Sequence, residues 1–490
     1  MDAAWSEKTP EQTGQTQQRR RATSADDDFA SDLAKFACGL TIDRLPADVI
    51  AAASANLFDT LICAVAGSGA RGVGDMRELV GEWGGAPQAT ILVFSDKVPA
   101  HHAAWVNGAM CHARDYDDTH DSAVLHAGVS VVPAALAALE WKFGASGADL
   151  IAGVAAGLET ICRLGVATSI GIIESGYMYT PLFGHFAATV AAGRVMRLTE
   201  TEMINALGII YSQVAGNHQV TRDGALTKRM QPGFAAQSAL ISVQLAQRGV
   251  RGTQATFEGI DGFLRVYLRD SCDPAKLRDG LGESYEFMQL SYKPYPCCRF
   301  NHTAIDAALD LKKTHEISPE NIRSIRVGVT RQAYEAVCTP KPVRRAPATI
   351  VHAQFSIPFT VAAAMTDGYI GLGHFSESAI RRKEILDLAQ RVEPCIDGEI
   401  ERKWSRNVSP AAVTVETVDG RTFKRQVDIP LGNPRRPMLP RDFDAKAEDC
   451  FKASAIRFAD DAATRLRAVV DSLPVLEDAR ELVRVLSPLR

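Results

Sequence analysis

The sequence has no excess of either charge. Its 490 residues include 54 lysines and arginines and 58 aspartates and glutamates, which gives a formal net charge of −4 at pH 7. Proteins that bind nucleic acid or anionic membranes usually carry a basic excess, and the bulk composition supplies none. We therefore expect neither a nucleic-acid partner nor a membrane partner.

Paired cysteine motifs are also absent. The ten cysteines are scattered, and only Cys297 and Cys298 are neighbours. Adjacent cysteines are poorly placed for a simple intrachain disulfide, and they lack the intervening residues of zinc and iron–sulfur motifs. The pattern predicts reduced thiols and hence a cytoplasmic protein.

Long apolar runs are missing as well. No segment combines the length and the uninterrupted apolar character that we expect of a membrane span. The N-terminal stretch is polar, with arginines at Arg19–Arg21 and aspartates at Asp26–Asp28. The apolar stretch that would follow twin arginines in an export signal is not there. We predict a disordered tail over residues 1–28.

Helical periodicity, by contrast, is abundant. Apolar residues recur at spacings of three and four from residue 29 onward, and many of these segments are rich in alanine and glycine. Helices that are apolar on nearly all sides belong in an interior. The chain is too long for one ordinary core. We predict an all-helical domain from residues 29–274 together with residues 436–490.

Strand patterns lie between these two parts. Residues 322–330 alternate and are rich in β-branched side chains, as in a strand. Two more alternating runs within residues 413–427 flank an Asp-Gly pair, which is the strongest short hairpin signal. Helical patterns occur between them. We predict an α+β domain over residues 275–435 and a mainly α fold overall.

One stretch concentrates groups that can titrate or bind metals near neutral pH. It runs from His112 to Pro133 and is followed at once by an apolar, helix-like segment. Its aspartates and histidines are Asp115, Asp117, Asp118, Asp121, His112, His120 and His126. Carboxylates and imidazoles are the usual parts for proton transfer and for metal binding. The alternative is a solvated acidic loop with structural aspartate caps.

Two further stretches carry cations. Lys228 and Arg229 lie among apolar segments and before an alanine-rich helix, which favours burial over the solvated pair typical of an isolated Lys-Arg. A buried cation needs an anionic partner or ligand. In the stretch YKPYPCCRFNH, two prolines restrict the backbone while Lys293, Arg299 and His302 present positive or protonatable groups.

Four motifs together resemble the MmgE/PrpD family: DYDDTH…LHAGVSVVP, LTKRMQPGFAA, KPYPCCRFNH and HAQFSIPF. They follow the order of that family, which includes 2-methylcitrate dehydratases, cis-aconitate decarboxylases and iminodisuccinate epimerases. The resemblance implies a large discontinuous helical domain, a smaller α+β lid domain and an active site in the cleft between them. It also implies a homodimer that uses no metal and no other cofactor.

The resemblance also implies the site residues. The motif positions that carry over are Asp115, Thr119, His126, Lys228, Lys293 and His302. Our catalytic candidates are Asp115, His126, Lys228 and His302. Our substrate-binding candidates are Thr119, Tyr177, Arg229, Lys293 and Arg299.

These residues predict proton transfer on a small di- or tricarboxylate. The cations that would hold its carboxylates through charge-assisted hydrogen bonds are Lys228, Lys293 and Arg299. His126 or His302 would move a proton at the carbon next to a carboxylate, with Asp115 orienting His126.

Such chemistry favours a lyase, by dehydration first and decarboxylation second. Met178 and Phe359 stand where decarboxylase-like members carry histidine and tyrosine, which argues against decarboxylation. An epimerase of a dicarboxylate is the alternative within the family. Asp117–Asp121 also fits DDxxD, the magnesium–diphosphate motif of isoprenoid synthases, but no second metal motif accompanies it. The last alternative is a carboxylate-binding protein without activity.

Overall fold

The computed structural model describes residues 25–141, 145–404 and 410–487. Helices predominate in these ranges, and the strands are few and short. The mainly α fold with a smaller α+β part, predicted from the sequence, is confirmed.

Most of the predicted disordered tail, residues 1–24, lies outside the described residues. Its last residues belong to the fold. Ala25–Asp27 forms a 3₁₀ turn, and the buried Asp28 carboxylate accepts hydrogen bonds from the backbone amides of Ala30 and Phe257. Asp28 therefore caps the first helix and ties it to a distant loop.

The helices vary from single turns to more than five turns. In chain order they are α1 Phe29–Gly39, α2 Ala47–Gly67, α3 Val73–Trp83, α4 Ala100–His112, α5 Gly128–Trp141, α6 Gly147–Ala167, α7 Ile172–Ser175, α8 Tyr179–Val195, α9 Glu200–Tyr211, α10 Gln219–Arg222, α11 Thr227–Gln247, α12 Phe263–Val266, α13 Pro274–Arg278, α14 His302–His315, α15 Arg331–Val337, α16 Lys341–Arg345, α17 Ile350–Gln354, α18 Ile357–Asp367, α19 Lys383–Ala389, α20 Gly398–Trp404, α21 Pro440–Lys452, α22 Ala462–Ser472 and α23 Glu481–Val485.

The strands form three small sheets. They are β1 Ala89–Ile91, β2 Asp96–Val98, β3 Thr119–His120, β4 Leu290–Ser291, β5 Ile322–Val329, β6 Val392–Ile396, β7 Ala411–Thr417 and β8 Thr422–Val427. β1 pairs with β2, and β3 pairs with β4. The largest sheet has the order β6-β5-β7-β8, with β5 and β6 parallel and the other pairs antiparallel. The hairpin predicted around Asp-Gly is confirmed as β7 and β8.

Two hydrophobic cores organise the described residues. The first, which we call the helical core, contains α1, α2, α4–α6, α8, α9 and α11, and also α21–α23 near the C-terminus. The second, which we call the sheet core, packs α14, α18 and α19 against the β6-β5-β7-β8 sheet. Leu277, Phe287 and Leu290 pack in the helical core, so the sheet core begins later than residue 275, at Tyr295.

Helices α2 and α6 are long and apolar enough to span a membrane by length and composition. The sequence analysis expected no segment of this kind. Their apolar windows are 78% and 94% buried within the protein. They form the middle of the helical core, the position typical of a helix that is apolar on all sides.

The crossing of α4 and α11 depends on two glycines. A Cβ atom on Gly108 would lie 2.7 Å from the Cα of Gly233, and one on Gly233 would lie 2.3 Å from the carbonyl oxygen of Trp105. Because neither glycine has a side chain, the two backbones touch. This contact brings the first turn of α11, with Lys228, to the last turn of α4, with His112.

Helix α21 returns to the helical core through a buried ion pair. The Nζ of Lys446 lies 2.5 Å from Asp59 Oδ1 of α2, and it also donates to the carbonyl oxygen of Tyr116. Both charged side chains are fully buried, so each serves as the partner that the other requires.

Candidate active site

A pocket of about 110 Å³ lies between the helical core and the residues that lead into the sheet core. The predicted site residues that line it are Asp115, Thr119, His126, Lys228, Lys293 and Arg299. It adjoins a larger cleft of about 1200 Å³, because Val124, Ile172 and Gln332 line both.

The loop after α4 is held in place by its backbone. Asp115 has a φ of 53°, a left-handed conformation that aspartate tolerates better than most residues. Further along, β3 pairs with β4, with Thr119 opposite Ser291. This short pairing brings the aspartate loop beside the strand that leads to Lys293.

Two lysines share the carboxylate of Asp115. Lys228 Nζ lies 2.9 Å from Asp115 Oδ1, and Lys293 Nζ lies 2.9 Å from the Asp115 carbonyl oxygen and 3.4 Å from Oδ1. All three side chains are buried. Burial acts to raise the pKa of Asp115, but the two ammonium groups outweigh it and hold the pKa below its ordinary value. Asp115 is therefore a carboxylate, and two cations converge on it.

His126 has Asp117 as its carboxylate partner, although the sequence analysis gave that position to Asp115. His126 Nδ1 lies 2.9 Å from Asp117 Oδ2 and 2.7 Å from the carbonyl oxygen of Asp118. Both neighbours are acceptors, so Nδ1 carries the proton and Nε2 keeps its lone pair. Asp115 is instead committed to the lysines, whose charges attract it more strongly than a neutral imidazole would.

A hydrogen-bonded chain connects Lys228 with His126. Lys228 Nζ lies 3.1 Å from His112 Nε2, and His112 Nδ1 lies 2.9 Å from Asp117 Oδ2. The pKa of His112 falls to about 4, because burial and the charge of Lys228 outweigh the opposing effect of Asp117. The neutral ring accepts from Lys228 and donates to Asp117, which leaves Asp117 Oδ2 shared between two imidazoles.

His112, Asp117 and His126 also have the composition of a metal site, since one ligand atom from each lies within 4.8 Å of the others. Two observations argue against this use. The 2.9 Å contacts of Asp117 are hydrogen-bond distances, and Lys228 occupies the second nitrogen of His112. These residues fit a proton-transfer network better than a cation site.

The aspartates of the DDxxD motif are likewise bonded to protein groups, which argues against a magnesium site. Asp118 accepts hydrogen bonds from the backbone amides of Ala127 and Gly128 at the start of α5. Burial and neighbouring Asp117 raise the pKa of Asp118 to about 6. Asp121 is bound to Arg299, with Nε to Oδ1 at 3.1 Å and Nη2 to Oδ2 at 3.2 Å. The carboxylates face protein partners in the described residues.

Some of the predicted site residues do not line the pocket. His302 is fully buried, donating from Nε2 to the Cys297 carbonyl oxygen and accepting from Arg299 at Nδ1. Burial and the charge of Arg299 hold the pKa of His302 well below its ordinary value. The structure therefore places His302 behind Arg299.

Tyr177 and Arg229 also lie outside the lining. The Tyr177 ring packs against Tyr267 with ring centroids 5.5 Å apart. Arg229 donates to the carbonyl oxygen of Arg71 at 3.1 Å. Lys228 and Arg229 are neighbours on α11, so their side chains leave the helix in different directions, and only that of Lys228 reaches the pocket.

Sequence reasoning gave no role to three residues of this site. His112 and Asp117 belong to the quoted stretch, but spacing alone cannot say which carboxylate meets which imidazole. His218 lies in a short Asn-His-Gln segment without a motif, and it lines the pocket beside Met178. The one feature of the sequence that could have indicated His218 is its closeness to Lys228 along the chain.

Fold and pocket together define a mainly α protein with a pocket between two cores, lined by two lysines, carboxylate and histidine side chains. The chain belongs to the MmgE/PrpD family. The N-terminal domain model of that family matches residues 31–274, and the C-terminal domain model matches residues 295–473.

Several curated relatives extend along nearly the whole chain. A cis-aconitate decarboxylase of Aspergillus terreus (strain NIH 2624 / FGSC A1156) is 26% identical over 479 residues, covering 93% of this chain and 96% of the relative. The cis-aconitate decarboxylase of Mus musculus is 24% identical and covers 91% of each chain. That of Homo sapiens is 26% identical and covers 80% of each chain.

Proposed function

We propose that the protein is a lyase that acts on a small di- or tricarboxylate by proton transfer next to a carboxylate. One observation carries this proposal: a single pocket combines two buried lysines that share one carboxylate with a histidine held by a second carboxylate. The names of the relatives, all cis-aconitate decarboxylases, support the same reaction class and substrate chemistry.

The lysines provide the binding site for a carboxylate. An ammonium group has three donors, and Lys228 uses two of them, on Asp115 and His112. The Lys228 ammonium also lies 5.2 Å from the Phe355 ring, so little water surrounds it. A substrate carboxylate would satisfy the remaining donor and stabilise the negative charge that grows on its oxygens when the adjacent carbon loses a bond.

His126 supplies proton transfer. Asp117 holds its Nδ1 proton, so Nε2 can exchange a proton with the substrate, and the carboxylate stabilises the imidazolium that forms. Positioned acid–base groups contribute about 10²- to 10⁴-fold in rate. His126 is 15% exposed at its side chain, which is enough contact for a ligand in the pocket.

Loss of water is our first candidate reaction. Asp115 Oδ2 is buried and has no hydrogen-bond partner in the described residues. A carboxylate oxygen can accept only from a donor, and the hydroxyl of a hydroxy acid is such a donor. Loss of CO₂ is the second candidate, because the relatives are named for it.

A substrate panel tests the proposal. We would incubate the protein with 2-methylcitrate, citrate, cis-aconitate and iminodisuccinate in D₂O and follow each by NMR. A new alkene with loss of water supports the dehydratase, and loss of CO₂ supports the decarboxylase. Deuterium at an inverted stereocentre without bond loss would replace the lyase by an epimerase, and saturable binding without turnover would leave a carboxylate-binding protein.

We further propose, from the family resemblance, a cytoplasmic homodimer that works without a metal or other cofactor. We expect EDTA dialysis to leave turnover within twofold, because the carboxylates that could hold a metal are bonded to protein donors. Light scattering of the dialysed protein measures the oligomeric state in the same sample. Loss of turnover that Mg²⁺, Zn²⁺ or Fe²⁺ restores would contradict the metal-free mechanism.

A further inference from the structure

His218 is a pocket residue that the mechanism so far does not use. It stands directly before the short helix α10 and lines the same pocket as His126 and Lys228. Its backbone amide donates to the carbonyl oxygen of Gly176 at 2.9 Å, which fixes the start of α10 against the turn before α8. Thr221, one turn further on, lines the pocket too. The imidazole is therefore positioned by two anchored segments.

The ring of His218 is not used as a structural link. Its Nδ1 is buried and has no hydrogen-bond partner in the described residues. Buried histidines elsewhere bind protein groups through Nδ1, as His112 does with Asp117 and His185 with the Pro181 carbonyl oxygen. A buried polar atom left without a partner is unfavourable, because it has lost its hydrogen bonds to water. A ligand group in the pocket would remove that cost.

Two other histidines, His102 and His352, share an unpartnered Nδ1. Neither lines the pocket. His218 is thus the histidine in which a free ring nitrogen coincides with the pocket that holds the lysines.

The electrostatic setting of His218 differs from that of His126. Burial lowers the pKa of His218, and the charges of Arg222 and Lys228 lower it further. The ring is neutral at neutral pH and keeps a lone pair that can take a proton. The partner of His126 is instead the Asp117 carboxylate, whose Oδ2 lies 2.9 Å from Nδ1 of the ring. One pocket therefore holds two imidazoles in different settings, one beside two cations and one held by a carboxylate.

We propose that His218 is a catalytic residue of this pocket, which takes the proton from the substrate carbon while His126 serves the leaving group. This inference rests on the proposed function and refines it. In the loss of water, the C–H bond next to the carboxylate breaks and its proton passes to His218. The electron pair of that bond first stays on the substrate, where the lysine-bound carboxylate carries its charge, and then forms the C=C bond. The hydroxyl departs as water with a proton that His126 has first taken from solvent at Nε2, and His218 later returns its proton to solvent.

The experiment compares His218→Gln with His352→Gln, using whichever panel compound the wild type converts. His352 is the matched control, because its Nδ1 is also unpartnered and burial lowers its pKa too, yet it lies outside the lining. Four quantities are measured for each: kcat, KM, the melting temperature, and exchange of the substrate C–H proton with D₂O.

For His218→Gln we expect kcat and proton exchange to fall by about 10²- to 10⁴-fold, with KM within a few-fold and an unchanged melting temperature. His352→Gln should match the wild type. His126→Gln should lose product formation but keep C–H exchange, because it leaves the proton acceptor in place.

Two results would overturn the inference while leaving the proposed function intact. One is a His218→Gln variant that keeps kcat and exchange within threefold of the wild type. The other is a His352→Gln variant whose kcat falls as far as that of His218→Gln, because the loss would then not depend on the pocket. A wild type that converts no member of the panel refutes the proposed function, and the assignment of His218 falls with it.

Discussion

The four aspartates of the loop after α4 have the same side chain and four different roles. Asp115 lies between two lysines, and Asp117 accepts from two imidazoles. Asp118 caps α5, and Asp121 holds a guanidinium. Each role follows from the partner that the fold brings to it, since an isolated carboxylate in a low-dielectric interior is strongly unfavourable.

Lys228→Ala should weaken substrate binding much more than it weakens folding. Removing one partner of a buried charge contact costs about 2–5 kcal/mol, and here that loss falls on kcat/KM. Asp115 keeps Lys293, so the free energy of unfolding changes less. Calorimetric titration with the substrate and a thermal melt measure the two quantities. Lys383→Ala, at a lysine that is 87% exposed, is the control. An unaltered KM and kcat would remove Lys228 from the binding site.

His126→Gln should lower kcat by about 10²- to 10⁴-fold and leave the fold intact. Glutamine is similar in size and can keep the hydrogen bond to Asp117, but it cannot relay a proton. Steady-state kinetics and circular dichroism melts check the two statements. His315→Gln, at an exposed position on α14, controls for the loss of a histidine as such. A variant that melts early and loses little rate would make His126 a packing residue.

The residue types of the site could be read from the sequence, but their pairing could not. Asp115, His126, Lys228 and Lys293 were identified by motif, and the structure brings them to one pocket. Which carboxylate meets His126 depends on the positive φ of Asp115 and on the β3–β4 pairing. Such distances between distant segments leave no periodic signal in a sequence.

At the scale of elements, the crossing of α4 and α11 sets the geometry of the site. The helices touch where Gly108 meets Gly233, and their neighbouring ends carry His112 and Lys228. A shift of about one ångström at this crossing would move Lys228 out of hydrogen-bond reach, because those contacts weaken steeply with distance.

Gly233→Ala should therefore reduce both stability and kcat/KM. The added methyl would meet the Trp105 carbonyl oxygen at 2.3 Å, and overpacking of this kind costs about 1–3 kcal/mol. Urea denaturation and steady-state kinetics give the two values. Gly74→Ala in α3 is the matched control, because a Cβ there has nothing within 4 Å, and we expect it to stabilise the protein by up to about 1 kcal/mol. Equal effects of both substitutions would refute the close crossing.

Elements with a strong hydrophobic periodicity could be predicted from the sequence, and short elements could not. The alternating segment at residues 322–330 is β5, and the Asp-Gly hairpin is β7 and β8. β6 was missed, because it has five residues and contains Pro394 in a strand paired on one side. Helix α11 begins at Thr227, before the two cations rather than after them. Helix starts are hard to place without an N-cap residue, and Leu226 provides no capping side chain.

At the scale of the whole molecule, two cores share one pocket. The helical core supplies His126 and Lys228, and the segment that enters the sheet core supplies Lys293 and Arg299. The division into a helical part and an α+β part could be predicted, because the periodicity of the sequence changes between them. The ion pair that joins Lys446 to Asp59 could not, because the two residues are 387 positions apart.

Buried histidines should make the fold sensitive to acid. Burial lowers the pKa of His185 to about 4 from 6.5 in an unfolded chain. The unfolded state then binds more protons between those values, so this contribution to stability is complete above pH 6.5 and is lost as the pH falls towards 4. We expect wild type to lose roughly 2–3 kcal/mol more than His185→Gln between pH 7 and pH 4.5. Urea denaturation at both pH values measures the difference, and parallel losses would refute it.

The order of synthesis determines how late the Asp59–Lys446 ion pair can form. At roughly 5–20 residues per second, a ribosome delivers Lys446 on the order of 20 to 80 seconds after Asp59. During that interval α2 is without the helix that covers its charged side, and water solvates the carboxylate. The sheet core, whose residues all precede α21, can close first. The helical core, which is the first to begin synthesis, is thus the last to be completed.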